Sequence, residues 1–149
     1  VDCEVVPGVT AALASAAETK RPLTRRGAGR SVALTTAMTR EGALRGGHGA
    51  DTEVFYMAGK QLGALARRLC EAGWPAETPV SVVSRAGWPD ALASSHTVAS
   101  LGRATVLHAG RPTVVTVGTG ASAVAGVSRG RTETPLLEAG QEPAETLSA

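Results

Sequence analysis

Three histidines, two cysteines and a few glycine-rich turns are the residues of this 149-residue chain whose types could carry chemistry. His48, His96 and His108 are far apart in sequence and none stands beside a serine or cysteine motif. No nucleophile, base and orienting group can be assembled from them, so each reads as a structural or solvent-exposed side chain and the catalytic residues stay unassigned. Cys3 and Cys70 match no CxxC or zinc spacing, and HxxxH and HExxH are absent, so no metal is expected. Gly118-Thr119-Gly120 follows an apolar run as a dinucleotide-binding loop would, but Ala123 stands where GxGxxG requires its third glycine. A strand-ending turn is the better reading, and no Walker A lysine motif accompanies it.

What remains is a pattern of small residues where strands end: Pro7-Gly8-Val9-Thr10-Ala11, Met57-Ala58-Gly59 and Ser84-Arg85-Ala86-Gly87. Ligands of open α/β sheets collect at the carboxyl ends of strands, where glycine and alanine let backbone groups approach. Tight turns also need small residues, so each turn alone decides nothing.

The elements that must position these turns follow from periodicity. Cys3 to Val6 is β-prone and is stopped by Pro7-Gly8. Thr10 is a plausible N-cap for an alanine-rich helix to Ala17, with Val9, Leu13, Ala16 and Ala17 near one face. Strands are expected at 31–36, 53–57 and 79–84, an alternating one at 95–101, and a last one at 113–117. Leu62, Leu65, Leu69 and Ala72 recur at helical spacing, with Gly73 and Pro75 at the stop. The strand, helix and strand between 53 and 84 read as a βαβ unit. The fold class is therefore α/β: a mixed, largely parallel sheet of about five strands flanked by helices.

Composition narrows the function classes. Four aromatic residues, Phe55, Tyr56, Trp74 and Trp88, give little support to stacking on nucleic-acid bases, and no apolar run approaches the roughly 20 residues that span a bilayer. Neither nucleic acid nor membrane is an expected partner, and a cytoplasmic location is the natural inference from the cysteines and the missing secretory signal. The net charge of +2 is unevenly spread: Lys20, Arg21, Arg25, Arg26, Arg30, Arg40 and Arg45 face only Glu41 between positions 20 and 45. That segment could meet an anion or could be a solvated loop. Residues 1–120 are expected to form one domain and 121–149 a disordered acidic tail. The start, apolar and without methionine, reads as though cut inside an element.

Taken in order, the turns resemble a known family. Val6-Pro7-Gly8-Val9-Thr10-Ala11-Ala12 resembles the VPGVTSA segment of the tetrapyrrole methylases, Pro22-Leu23-Thr24-Arg25-Arg26-Gly27 their PLTHRG, and Glu53-Val54-Phe55-Tyr56-Met57-Ala58 their TLVFYMG. Ala72-Gly73-Trp74-Pro75-Ala76-Glu77-Thr78-Pro79-Val80 is similar to AGxPxxTPV, and 113–118 to the final strand of the family. The resemblance runs from about residue 3 to about 120 and is nearest to the enzymes that C-methylate uroporphyrinogen III on the way to precorrin-2, sirohaem and cobalamin.

That resemblance implies the C-terminal half of a two-domain enzyme using S-adenosylmethionine as methyl donor, with no metal. Thr10, Ala11, Met57 and Ala86 would then contact the cofactor. Tyr56 and the basic loop of Arg25, Arg26 and Arg30 would hold the eight-carboxylate tetrapyrrole substrate. The implied partners are that substrate, the missing N-terminal methylase domain and a second copy in a homodimer. The departures fall on the substrate side: Arg25 replaces the histidine of PLTHRG, Thr36-Ala37-Met38 replaces TGH, Ala58 replaces the glycine of YMG, and Ala91 replaces the glutamine after Pro89-Asp90. The alternative is a truncated, non-catalytic homologue serving as a binding or dimerisation module.

Overall fold

The strand formed last in the chain sits in the middle of the sheet. In the computed structural model, which describes residues 1–38, 43–44 and 46–125, the strands are β1 (Val32–Thr36), β2 (Thr52–Tyr56), β3 (Pro79–Ser84), β4 (Leu92–Thr97) and β5 (Thr113–Gly118). Their order across the sheet is β1-β2-β5-β3-β4. Every residue of β5 is buried, as expected of an apolar run covered on both faces. The mixed five-stranded sheet is as expected, but its antiparallel share is larger: only β1 and β2 pair in parallel, whereas β2–β5, β5–β3 and β3–β4 are antiparallel. The reason is topological. β2 and β3 do run the same way, as the βαβ pattern requires, but β5 enters between them from the opposite direction and converts one parallel pairing into two antiparallel ones.

Helices cover both faces. On one, α2 (Leu62–Glu71) buries Leu62, Leu65 and Leu69 against Phe55, Val82, Val115 and Val117. Its end shows why Gly73 is glycine: φ is +97°, and the Gly73 N–H donates to the Cys70 carbonyl while the Trp74 N–H donates to that of Leu69. This is the paired-bond left-handed cap of a helix, and it turns Trp74 into the core. The short α3 (Ala104–Leu107), entered through the 3-10 turn Leu101–Arg103, closes the same face with Leu101 and Ala104. On the other face α1 (Ala11–Thr19) packs Ala12 against Val54 and Val114.

Three local expectations are corrected. Cys3 to Val6 is not a strand: residues 1–10 carry no regular structure and Val1, Val5, Val6 and Val9 are exposed. A strand needs a neighbour for its N–H and C=O groups, and both edges of this sheet, β1 and β4, lack such a pairing with the segment. In α1 the buried residues are Ala12 and Ser15, while Leu13 of the expected apolar face is 55% exposed. β4 begins at Leu92 and ends at Thr97, because the Thr97 N–H donates to Ser100 Oγ at 2.9 Å and the chain turns there. Most of the expected tail, 126–149, with Arg40 and Arg45 of the basic segment, lies outside the described residues.

Candidate functional site

β1, β2 and β3 end at one pole of the sheet, where β4 and β5 begin. Of the three described non-glycine residues with left-handed backbone, two stand there, each one residue past a strand: Met57 after β2 (φ +60°) and Arg85 after β3 (φ +53°). Side chains of this size rarely adopt that conformation, which costs about 1–2 kcal/mol and gathers at ligand sites. With β5 between them, the two strand ends are roughly 10 Å apart.

The N-terminus of α1 is brought to the same pole. Thr10 is its N-cap, accepting from the Ala12 N–H, and its Oγ1 lies 2.5 Å from the Tyr56 hydroxyl at the end of β2. The structure thus gathers Thr10, Ala11, Tyr56, Met57 and Ala86 at one end. Met57 is 69% exposed and lines a cleft of about 400 Å³ together with Met38, Gly59, Lys60, Arg111 and Thr113. Two methionines, a lysine and a strand-end backbone suit a small organic ligand with an apolar body and an anionic group. The volume falls within the 300–1,000 Å³ typical of such sites, so the chain's residues fit one wall of an S-adenosylmethionine site.

Beside the cleft, the turn carrying Ala86 is braced. Arg85 Nε donates to Asp90 Oδ1 at 2.8 Å, and the guanidinium lies 4.5 Å over the ring of Trp88. That hydrogen bond, first among the causes, holds the exposed Asp90 carboxyl below its usual range. Arg85 is the residue that sequence reasoning missed. Neither arginine nor methionine advertises a left-handed backbone, and only Gly87 in the same turn hinted at it.

Arg25, Arg26 and Arg30 are not brought to this pole. Their loop sits at the start of β1 and the end of β5, a strand length of about 17 Å away. Arg25 is engaged there, donating to the carbonyls of Ser122 and Ala123. Arg26 and Arg30 are exposed, and the Arg30 N–H donates to Asp51 Oδ2. The expected substrate-holding role of these arginines therefore has no geometric connection to Met57 and Ala86.

A wider hollow of about 600 Å³ lies at that opposite pole. Part of its wall is engaged internally: His48 stacks on Trp74 with ring centroids 4.0 Å apart, and Asp51 accepts from the Ser31 hydroxyl and from two backbone N–H groups. Those bonds, that of Ser31 foremost, hold the Asp51 carboxyl low. The hollow is larger, but it lies at the opposite end of the sheet from Met57 and the turn after β3, so the smaller cleft is the better candidate. Gly118 at this pole confirms the strand-ending turn: a Cβ there would lie 2.3 Å from the Asp51 carbonyl oxygen. Among the described residues no group of three or more His, Cys, Asp or Glu side chains is placed to hold a metal, both cysteines are free, and no helix is long and apolar enough to cross a membrane.

Comparison with known proteins identifies the family and the fold. The family of Tetrapyrrole (Corrin/Porphyrin) Methylases matches residues 1–102. The chain is 33% identical over 128 residues to uroporphyrinogen-III C-methyltransferase of Pseudomonas fluorescens, covering 83% of this chain and 52% of that protein. It is 36% identical over 105 residues to precorrin-4 C(11)-methyltransferase of Mycobacterium tuberculosis, covering 66% and 42%. The structure of uroporphyrin-III C-methyltransferase from Thermus thermophilus complexed with S-adenosylhomocysteine superposes with a TM-score of 0.65 at 25% identity, covering 78% of this chain and 52% of that one. The chain thus spans about half the length, or less, of these proteins. By the span of the family match, by these identities and by the shared mixed sheet, the chain belongs to the tetrapyrrole methylase family.

Proposed function

We propose that this chain supplies one wall of the methyl-donor site in an S-adenosylmethionine-dependent uroporphyrinogen-III C-methyltransferase, the other wall coming from an N-terminal methylase domain. The observation that carries the reading is the convergence of the Thr10–Tyr56 pair, left-handed Met57 and the Arg85–Ala86 turn at one end of the sheet. S-adenosylmethionine would supply an electrophilic methyl group there. The chain's residues would bind and orient: Met57 and Met38 cover the apolar body, Thr10 and Ala11 approach it from the helix start, and the Ala86 backbone meets the adenine side. Attack by a pyrrole carbon needs alignment and exclusion of water more than a charged catalyst, which suits a wall with few titratable groups. Uroporphyrinogen III is preferred over precorrin-4 as substrate on the VPGVT, YM and AGxPxxTPV segments, and Lys60 and Arg111, both lining the cleft, are the cations that could meet its carboxylates.

The test is calorimetry with S-adenosylhomocysteine on the chain alone and on the chain mixed with the N-terminal half of the Pseudomonas relative, followed by methyl transfer to uroporphyrinogen III and to precorrin-4. The chain alone should bind more weakly than about 1 μM, since half the ligand's contact area is absent, and should not turn over. Binding and transfer to uroporphyrinogen III should appear with the added half. Tight binding by the chain alone, or no gain on mixing, would overturn the reading, and transfer to precorrin-4 alone would reassign the substrate.

A second reading is favoured by one observation: Val5, Val6, Val9 and Leu13 form an exposed apolar run beside α1. A dimerisation module that lacks catalysis would use that surface for a second copy.

A further inference from the structure

His108 is fully buried, yet both its ring nitrogens are bonded. Nδ1 lies 2.9 Å from Ser84 Oγ and Nε2 lies 2.8 Å from Ser94 Oγ, which is itself 2.8 Å from His96 Nε2. Ser84 Oγ also accepts from Arg111 Nε at 2.9 Å. Arg111 then reaches Asp90, donating to its carbonyl and, at 3.4 Å, to Oδ2, and Asp90 accepts from Arg85. The result is one continuous path from the core to the turn that follows β3.

Donor and acceptor accounting gives the path a direction. In the assignment that pairs every hydroxyl and ring proton along the path, the Ser84 oxygen accepts from Arg111 Nε–H and its own proton goes to His108 Nδ1. The remaining His108 proton sits on Nε2 and goes to Ser94, whose proton goes to His96. Every proton has a place when His108 is neutral. The backbone closes the arrangement: the Arg85 N–H donates to the Pro112 carbonyl and the Arg111 N–H to that of His108.

We propose that His108, Ser84 and Arg111 are positioning residues for the Arg85–Ala91 turn. Ser84 and His108 are not part of the cleft lining, and Arg111, which borders the cleft, acts here through Asp90; together they hold Arg85 left-handed and fix the backbone at Ala86. What that turn serves rests on the donor-site reading above, whereas the positioning itself does not. Two features support it. The turn is exposed and contains a strained residue, which persists only when its surroundings over-determine it. And the only buried histidine among the described residues is spent on a serine whose other bond is the arginine that grips the turn.

The experiment is backbone amide hydrogen exchange by NMR on the 149-residue chain, comparing Ser84→Ala and Arg111→Met with the parent. The reporters are the amides of Arg85, Trp88 and Ala91, all bonded within or beneath the turn. Both variants should speed exchange at these three by about tenfold while amides of β2 and α2 stay within about twofold. Emission of the exposed Trp88 should change in the same variants. Unchanged exchange at the turn would overturn the proposal, and so would equal acceleration across β2 and α2, which marks loss of general stability. Arg111 is only partly buried, so its variant answers the question even where the buried Ser84→Ala fails to fold. S-adenosylhomocysteine affinity of the two-part assembly is measured in parallel: a loosened turn with unchanged affinity leaves the positioning intact and counts against the donor-site reading alone.

Discussion

Thr10 Oγ1 lies 2.5 Å from Tyr56 Oη, so the residue that caps α1 is tied to the last residue of β2. One side chain thus serves as helix cap and as link between helix start and strand end. Thr10→Ala should cost about 1–2 kcal/mol, since cap and link are lost together, and Tyr56→Phe about 1 kcal/mol. Urea denaturation of both and of the double variant should return a coupling of about 0.5–1.5 kcal/mol.

Met57 is left-handed and mostly exposed, a combination that points to ligand contact more than to stability. Met57→Gly should raise folding stability by up to about 1 kcal/mol, because glycine adopts that backbone freely. The same change should weaken S-adenosylhomocysteine binding by the two-part assembly by about fivefold, the loss of roughly 1 kcal/mol of apolar contact. Calorimetry and denaturation on one protein sample check both signs.

The basic loop should divide by residue. Arg25→Ala should lose about 1 kcal/mol, because its guanidinium ties the loop to Ser122 and Ala123. Arg26→Ala and Arg30→Ala should stay within about 0.5 kcal/mol, as exposed side chains do. If the triple variant nonetheless weakened binding of uroporphyrinogen III in a salt-dependent manner, the loop would regain a part in substrate capture.

Burial, followed by the neighbouring charges of His96 and Arg111, holds the His108 imidazole below its usual pKa. A histidine with a depressed folded-state pKa stabilises the fold above its unfolded pKa, about 6.5, and loses that contribution as pH falls toward the folded value. Stability should therefore decline on acidification below about pH 6.5. His108→Gln should flatten that decline in denaturation curves taken across the range. His96, lowered by burial, contributes with the same sign.

The exposed run of Val5, Val6, Val9 and Leu13 should make the chain self-associate. Light scattering should show dimers or larger species for the parent and a monomer for Val9→Glu with Leu13→Glu. A monodisperse parent would leave that surface without a role in the isolated chain.

Strand and helix identities were legible in the sequence wherever a local period encodes them. Leu62, Leu65 and Leu69 announce one buried helical face, Gly73 and Pro75 its end, and 79–84 and 113–118 their burial on both sides. The family was legible too, because VPGVT, VFYM and AGxPxxTPV are short contiguous segments. What only the tertiary structure decided is non-local. Insertion of β5 between β2 and β3, the failure of Cys3–Val6 to join the sheet, and the burial of Ala12 and Ser15 rather than Leu13 all depend on which neighbours are present. So does the separation of the arginine loop from the strand-end cleft: residues 25 and 57 both follow familiar motifs, but a strand's length and direction put them at opposite poles. The path from His108 to Arg85 joins residues 23 positions apart through Ser84 at the end of β3 and through Arg111 and Asp90 in two turns, a contact that no local period records.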